Sequence, residues 1–383
     1  MDEKKKFFNK EISFLAGILL AFFILYFPSK KSDKKNFEEF ALNNDATVEF
    51  SKLDNYNIHC GHLNDIDRLN NIDKCLNDYR KFGNNLPIIL WLGNSQLHVI
   101  NQFTNGEETA SKKLHKFLKK KGHYLFTFSQ PNSNLQEQLL LTIYLSQKLP
   151  IKNIILPVVF DDMRETKIRP DIEKIFNDSV SIKILLDNTK NGVNLYNNYL
   201  NQNNNKDLAS NKSISLQKNS EKLLNHNLEN LSTLWENRGG LRGDVFVNLY
   251  QLRNFIFQID PSSIRKMIPG NYLKNLNALN DLINFSKINE INIFIYTAPI
   301  RNDLKLPYVI SEYTNFKNDL KKLSKELNVN YQNFESSIPN SLWGKKNSTS
   351  ITKEDEVDFM HFRAEGHDLL ANIIFDELNN FLD

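Results

Sequence analysis

The sequence predicts an α/β fold, a three-layer sandwich in which helices cover both faces of a central parallel sheet. Short apolar runs, bounded by polar residues or glycine, alternate with stretches of helical spacing. These runs are apolar throughout rather than at every second residue, which is typical of strands buried on both faces. With 383 residues, 40% of them hydrophobic and 24% charged, the chain is long enough for one large domain or two ordinary ones.

Four runs are the strand candidates, and they cover residues 86–92, 124–128, 151–160 and 291–297. Helical spacing follows at residues 136–149, and a closing amphipathic helix is predicted at residues 366–382. The intervening stretch of about residues 165–286 is mainly helical in pattern and is interpreted as an insertion. In an open parallel sheet the ligand site lies at the carboxyl ends of the strands, so the residues that follow each strand are the functional candidates.

Residues 12–28 predict a transmembrane anchor. Their core, ISFLAGILLAFFILYF, carries no charge and approaches the ~20 residues that span a bilayer. A cleaved signal peptide is the alternative, but no A-x-A pattern follows the segment. A short tail at residues 1–11 precedes the anchor, and a linker and capping segment at residues 29–85 leads to the main domain at 86–383. Lysines flank the anchor on both sides, yet the short tail favours a single-pass protein whose main domain is extracytoplasmic, periplasmic or extracellular.

Charge and cysteine content narrow the possible partners. A formal net charge of +3, without a basic stripe, gives little support to nucleic-acid binding. Cys60 and Cys75 could form a disulfide in an oxidising compartment. Free thiols remain an alternative, as does a metal site, because His59 and His62 lie beside Cys60. The paired C-x-x-C spacing of structural zinc sites is absent from the sequence, which disfavours the metal alternative. No metal and no cofactor is predicted for the main site.

Two segments at opposite ends of the main domain carry residues suited to nucleophilic catalysis. Ser95 follows Gly93 at the end of a predicted strand, at the expected start of a helix. His361 precedes the closing helix, with Asp358 three residues earlier. A serine hydroxyl is a weak nucleophile that needs an imidazole to take its proton and a third group to orient that imidazole. The alternatives are a serine that only caps a helix and a loop histidine beside a surface carboxylate.

The order of these segments resembles that of the SGNH, or GDSL-like, hydrolase superfamily. The first block is LGNSQ at residues 92–96, and the last is DFMHF at residues 358–362, followed by Gly366-His367. The segment YTAPIR at residues 296–301 is also similar to the segment that precedes the last block in that family. The resemblance implies a flavodoxin-like strand order, a nucleophilic Ser95, a basic His361 and an orienting Asp358.

The two middle blocks depart from the family's pattern. The turn SQPNSN at residues 129–134 has no glycine, so the backbone N–H of Asn132 is the candidate oxyanion donor. At the family's asparagine position stands Asp161, and an ionised carboxylate cannot donate a hydrogen bond. Either another group, such as Asn94 or Arg164, replaces that donor, or hydrolysis is weak. Arg301, after the fourth strand, either holds an anionic substrate group or forms a salt bridge.

Other titratable residues have plainer interpretations. Asp161 and Asp162 are adjacent and point in different directions, which disfavours a cation site. His98 is a rival base, but a helix-surface position is the simpler interpretation. His367 is expected to be structural, on the closing helix.

The combination of an anchor and triad-like blocks is similar to a narrower set, namely the D-alanyl transfer protein of teichoic acid modification and the alginate O-acetylation proteins. This likeness implies a membrane-bound O-acyltransferase as partner and a cell-surface glycan or lipid as substrate. The expected function is acyl transfer or ester cleavage by a serine enzyme. The alternative is a non-catalytic surface assembly or binding module on the same scaffold.

Overall fold

The structure is a computed structural model of the whole chain. It describes residues 47–48, 52–53, 56–57, 59–60, 68–82, 85–210, 249–259, 262–346 and 356–380. The predicted anchor at residues 12–28 lies outside these ranges. No helix within them is both long enough and apolar enough to cross a membrane.

The secondary structure alternates between strands and helices along the main domain. The strands are β1 (Thr47–Val48), β2 (Lys52–Leu53), β3 (Tyr56–Asn57), β4 (His59–Cys60), β5 (Ile88–Gly93), β6 (Val99–Ile100), β7 (Tyr124–Ser129), β8 (Ile151–Val158), β9 (Asn292–Thr297), β10 (Asn330–Asn333), β11 (Trp343–Lys346) and β12 (Glu356–Phe362). The α-helices are α1 (Arg68–Phe82), α2 (Ala110–Lys120), α3 (Leu135–Ser146), α4 (Pro170–Glu173), α5 (Ser179–Asn188), α6 (Gly192–Ser210), α7 (Pro269–Ile288), α8 (Ile310–Glu326) and α9 (Ala364–Asn379).

Six strands form the central sheet, in the order β10-β9-β8-β5-β7-β4, and every neighbouring pair is parallel. The predicted α/β fold with a central parallel sheet is therefore confirmed, and all four predicted strands are present. The chain passes from β5 to β7 on one side and then returns to β8 on the other. In an open α/β sheet, the carboxyl end of the strand at which the order reverses, here β5, is the usual position of a ligand site.

The central strand β5 is buried on both faces, which explains why it is apolar throughout. Ile88, Leu90 and Leu92 belong to one hydrophobic cluster, and Ile89 and Trp91 belong to another on the opposite face. This alternation follows from the two-residue repeat of a strand. The first cluster is covered by α1, α3, α7 and α8, and the second by α2 and α9. The sheet thus lies between two helical layers.

The described parts of the predicted insertion are mostly helical, as its pattern indicated. Helices α4, α5, α6 and α7 all lie between β8 and β9. Helix α7 packs along α3 on one face of the sheet. The adjoining residues 211–248 lie outside the described ranges.

The segment before residue 86 differs from its prediction as a linker and cap. Strand β4 extends the sheet by pairing in parallel with β7, and β1 pairs antiparallel with β6. A disulfide joins Cys60, on β4, to Cys75, on α1, with a Cα–Cα distance of 6.4 Å. Of the three alternatives for these cysteines, the structure has the disulfide. No group of three or more His, Cys, Asp or Glu suited to a metal ion occurs among the described residues.

Removing this disulfide is expected to destabilise the fold. The two cysteines are 15 residues apart, and a closed loop of that length is worth about 3 kcal/mol in the chain-entropy model. The Cys60→Ser/Cys75→Ser variant should lose about that much free energy of unfolding in urea titrations. The wild type titrated with a reductant should match the variant. An unchanged midpoint in both experiments would contradict this prediction.

Candidate active site

The serine turn begins where β5 ends. Asn94 caps a short 3-10 helix that covers Ser95–Leu97, and its Oδ1 accepts a hydrogen bond from the N–H of Gln96 at 3.0 Å. The sequence predicted the start of a helix here, and the helix that begins at Ser95 is a single 3-10 turn rather than an α-helix. The turn instead leads into β6, whose Val99 and Ile100 are β-branched and pair with β1. A helix dipole of useful length is therefore absent at Ser95.

Gly93 is needed in this turn because space is short. A Cβ at position 93 would lie 2.5 Å from Cδ1 of Leu97 and 3.1 Å from Cγ of Pro157. The serine turn consequently packs directly against β8. Close packing, rather than an unusual backbone conformation, is the reason for glycine at this position.

Asp358 and His361 lie on β12, which pairs antiparallel with β11. Trp343 pairs with Phe362, but Lys345 pairs with Val357, so the register shifts between them. The extra residues of β12 form a bulge, which re-aims the side chains it carries. The bulge presents both Asp358 and His361 to the serine turn.

The three side chains form one hydrogen-bonded chain. Ser95 Oγ lies 2.9 Å from Nε2 of His361, and Nδ1 of His361 lies 2.9 Å from Oδ2 of Asp358. Ser95 and His361 are partly exposed, whereas Asp358 is buried. The structure thus brings together residues 266 positions apart in the sequence, in the relative order that nucleophilic catalysis requires.

Asp358 is ionised although it is buried. Burial opposes the charge, but the attraction and hydrogen bond of His361, with smaller contributions from Lys346 and the N–H of Met360, lower the pKa of Asp358 to about 2. The backbone N–H groups of Met360 and His361 donate to Oδ1 at 2.9 and 3.0 Å. Because the carboxylate only accepts, Nδ1 of His361 must carry its proton. Nε2 is then free of a proton and can accept that of Ser95.

Asn101 and Gln96 support this arrangement, and neither was assigned a role from the sequence. Asn101 donates through Nδ2 to Oδ2 of Asp358 at 3.1 Å and is fully buried. Gln96 donates through Nε2 to the carbonyls of Pro299 and Met360, at 2.9 Å each. Gln96 thereby ties the serine turn to the strand that carries His361. Its place in the first block was the only signal in the sequence, and no signal pointed to Asn101.

The loop after β7 lies beside the serine turn. The N–H of Gln130 donates to the carbonyl of Gly93 at 3.1 Å. Asn132 is exposed and adopts a left-handed conformation with φ of 48°, which asparagine tolerates better than most residues. Arg169 ties this loop to α3, because it donates to the carbonyl of Pro131 and pairs with the buried Glu137 on that helix. The role of Asn132 as an oxyanion donor stays a prediction.

The loop after β8 does not offer the donors expected of it. Asp161 accepts hydrogen bonds from Arg164, Arg265 and Tyr308, so its carboxylate is engaged by protein groups. The side chain of Arg164 is engaged in turn by Asp161 and by the carbonyl of Lys266. The contacts of Arg164 therefore give no support to the idea that its side chain replaces the missing oxyanion donor.

The contacts of Asn94 and Arg301 bear on two further expectations. The amide of Asn94 faces Asp162, to which its Nδ2 donates at 2.9 Å, so it is used within the protein. Arg301 pairs with Asp303 through Nε at 2.7 Å and also donates to the carbonyl of Gly344. The salt-bridge alternative for Arg301 is thus the one observed, rather than an anion site.

Three other histidines among the described residues, His59, His98 and His367, are structural in their contacts. His98 is fully buried rather than on a helix surface, and its Nδ1 lies 2.6 Å from Oγ of Ser129. His59 contacts the same hydroxyl. His367 accepts from the N–H of Ala110 and donates to the carbonyl of Val99. Burial lowers the pKa of His367 to about 3, which keeps it neutral.

Comparisons with known proteins give only distant likenesses. No family model and no curated protein matches the chain. A candidate acylhydrolase from Bacteroides fragilis is 12% identical, with 80% of this chain and 97% of that chain covered and a TM-score of 0.34. A mutant acetyl-xylooligosaccharide esterase from Geobacillus is 8% identical (76% and 94% covered, TM-score 0.36). A candidate arylesterase from Agrobacterium tumefaciens is 9% identical (78% and 100% covered, TM-score 0.35). Likenesses of this size assign no family to the chain.

Asp358→Asn is expected to reduce kcat for ester cleavage by about 10³–10⁴-fold with little change in KM. The amide would present a donor where Nδ1 of His361 and Nδ2 of Asn101 now donate, so the imidazole would lose its orientation and its tautomer. Steady-state kinetics on a small aryl acetate measure this effect. A kcat within threefold of the wild type would contradict the role of Asp358.

Gly344→Ala should weaken catalysis without touching the triad. A Cβ at position 344 would collide with the side chain of Asn101, which holds Asp358. We expect kcat to fall by about tenfold, the usual cost of losing one supporting hydrogen bond, which is ~1.4 kcal/mol. Gly270→Ala is the matched control, because a Cβ there meets nothing within 4 Å. Equal activity of the two variants would show that Asn101 does not support the site.

Proposed function

We propose that the chain is a serine-dependent enzyme of acyl esters, an esterase or O-acyltransferase of the SGNH type. The observation that carries the proposal is the chain of two 2.9 Å contacts from Ser95 through His361 to Asp358. A buried carboxylate, a correctly oriented imidazole and a partly exposed hydroxyl at the carboxyl edge of a parallel sheet are the parts that nucleophilic acyl chemistry needs.

The reaction proceeds in two halves. Ser95 Oγ bonds to the acyl carbon while its proton passes to Nε2 of His361, and the carbonyl electron pair moves to oxygen. When the tetrahedral intermediate collapses, the alcohol leaves with the proton from His361 and the acyl group remains on Ser95. Water, or an acceptor hydroxyl, then gives its proton to His361 while its oxygen bonds to the acyl carbon. When this second tetrahedral intermediate collapses, the bond between the acyl carbon and Ser95 Oγ breaks, and His361 returns the proton to Oγ. The incoming hydroxyl decides between hydrolysis and transfer.

The oxyanion is proposed to be held by the backbone N–H groups of Ser95 and Asn132. The contact between Gln130 and Gly93 keeps the two turns side by side. Each such donor contributes about 10²–10³ to the rate in enzymes of this kind.

The substrate is proposed to be an acyl ester of a cell-surface glycan or lipid. This rests on the uncharged apolar segment at residues 12–28, which would tether the domain to a membrane. The proposed partner is a membrane-bound O-acyltransferase, which would pass acyl groups across that membrane to this domain. Loss of surface acylation in cells that carry Ser95→Ala would support transfer, whereas an increase would support removal of acyl groups.

Labelling with a fluorophosphonate probe tests the nucleophile directly. The full-length wild type should become labelled at Ser95 and should hydrolyse a small aryl acetate. Ser95→Ala should lose the label and at least 10³-fold in kcat. The matched control is Ser311→Ala, an exposed serine on α8, which should behave as the wild type.

Two outcomes would contradict the proposal. Labelling that persists in Ser95→Ala would place the nucleophile elsewhere. Absence of both label and turnover in a folded wild type would favour the non-catalytic binding module.

A further inference from the structure

Among the described residues, Asp162 is the one buried acidic side chain that contacts the serine turn and has no part in the mechanism above. It is 3% exposed and lies in the short turn after β8. Its Oδ2 accepts from Nδ2 of Asn94 at 2.9 Å, and the other end of that amide caps the turn that carries Ser95. Asp162 therefore acts on the turn through a single amide.

Among the residues that the structure describes, no cationic side chain contacts Asp162. Asp161, beside it, is taken up by Arg164, Arg265 and Tyr308. The remaining charged groups that face Asp162 are Arg169 and Glu137, and these two are paired with each other. Helix α7 presents only the neutral Asn275, whose Nδ2 donates to the backbone carbonyl of Asp162 at 3.5 Å. Within the described residues, no hydrogen bond reaches Oδ1 of Asp162.

We propose that Asp162 works in its neutral, protonated form, as a positioning residue that holds Asn94 while keeping negative charge away from the serine turn. The inference rests on the proposed function of Ser95. A buried carboxylate with one amide donor and no cation pays a large desolvation cost, so the neutral acid is the favoured form. Burial, which outweighs the hydrogen bond from Asn94, raises the pKa of Asp162 to about 8, with Asp161 acting in the same direction.

The charge state matters because of what forms at Ser95 during the reaction. The tetrahedral intermediate carries a negative oxygen at the residue next to Asn94. An ionised Asp162, one hydrogen bond from Asn94, would repel that oxygen in a site of low dielectric. A neutral carboxyl still accepts from Asn94, through a weaker hydrogen bond, without this repulsion. Activity should therefore fall as pH rises through the pKa of Asp162, because the folded protein is active only while the proton is bound.

The test is the pH dependence of kcat/KM for a small aryl acetate, measured on the full-length protein from about pH 6 to about pH 10. The wild type should lose about tenfold per pH unit above about pH 8. Asp162→Asn, which is isosteric and always neutral, should stay within threefold of the wild type at neutral pH and lack this alkaline loss. Asp162→Ala should lose about tenfold at all pH values, because Asn94 loses its partner.

Asp161→Asn gives the matched control in the same turn. It removes a neighbouring negative charge and frees two arginines, so it should lower the pKa of Asp162 and move the alkaline loss to lower pH. An Asp162→Asn variant that keeps the wild-type alkaline loss, or that is as impaired as Asp162→Ala, would overturn the inference.

Infrared spectroscopy separates this inference from the proposed function. A protonated carboxyl band should be present at neutral pH in the wild type and in Ser95→Ala, disappear on raising the pH, and be missing from Asp162→Asn. Its absence from the wild type at neutral pH would overturn the inference whatever the activity. If Ser95→Ala retained full activity while the band behaved as expected, the proposed function alone would fail, and Asp162 would be left as a neutral support of the turn.

Discussion

The buried carboxylate of Asp358 is the group on which the geometry of the site depends. An ionised carboxylate away from water must be surrounded by donors, and four N–H groups meet it here. Two come from the backbone of the bulge in β12, which keeps that strand out of register with β11. The third comes from His361, whose tautomer is thereby decided. The fourth comes from Asn101, whose side chain has room there because Gly344 has no Cβ.

The residues of the site also connect the loops at the carboxyl end of β5, where the strand order reverses. The serine turn is packed against β8 at Gly93, tied to β12 through Gln96 and to the loop after β7 through Gln130. The carboxyl ends of parallel strands lie at one edge of the sheet, so these loops come together although they are far apart in the sequence. Small displacements at this edge would change the 2.9 Å contacts of the triad, which is why supporting positions are expected to affect kcat.

Two kinds of carboxylate stand on either side of the serine. Asp358 is kept ionised by the donors around it, with a pKa of about 2, and Asp162 is kept neutral by burial, with a pKa of about 8. Separation of the pKa values of nearby acids is a recurrent way of assigning them different tasks. In the mechanism proposed above, the charged acid stabilises an imidazolium, and the neutral one spares the oxyanion.

The sequence by itself determined the sheet and the order of the reactive segments. Strands buried on both faces are apolar throughout, so β5, β7, β8 and β9 could be predicted from local pattern. The edge strand β10, with the polar sequence NYQN, and the two-residue β4 gave no such pattern. Only the tertiary structure decided that Asn101 supports Asp358, that Arg301 forms a salt bridge and that His98 is buried. Contacts of this kind join residues that are far apart in the chain. They follow from how the loops meet in the folded protein, which no local spacing in the sequence reveals.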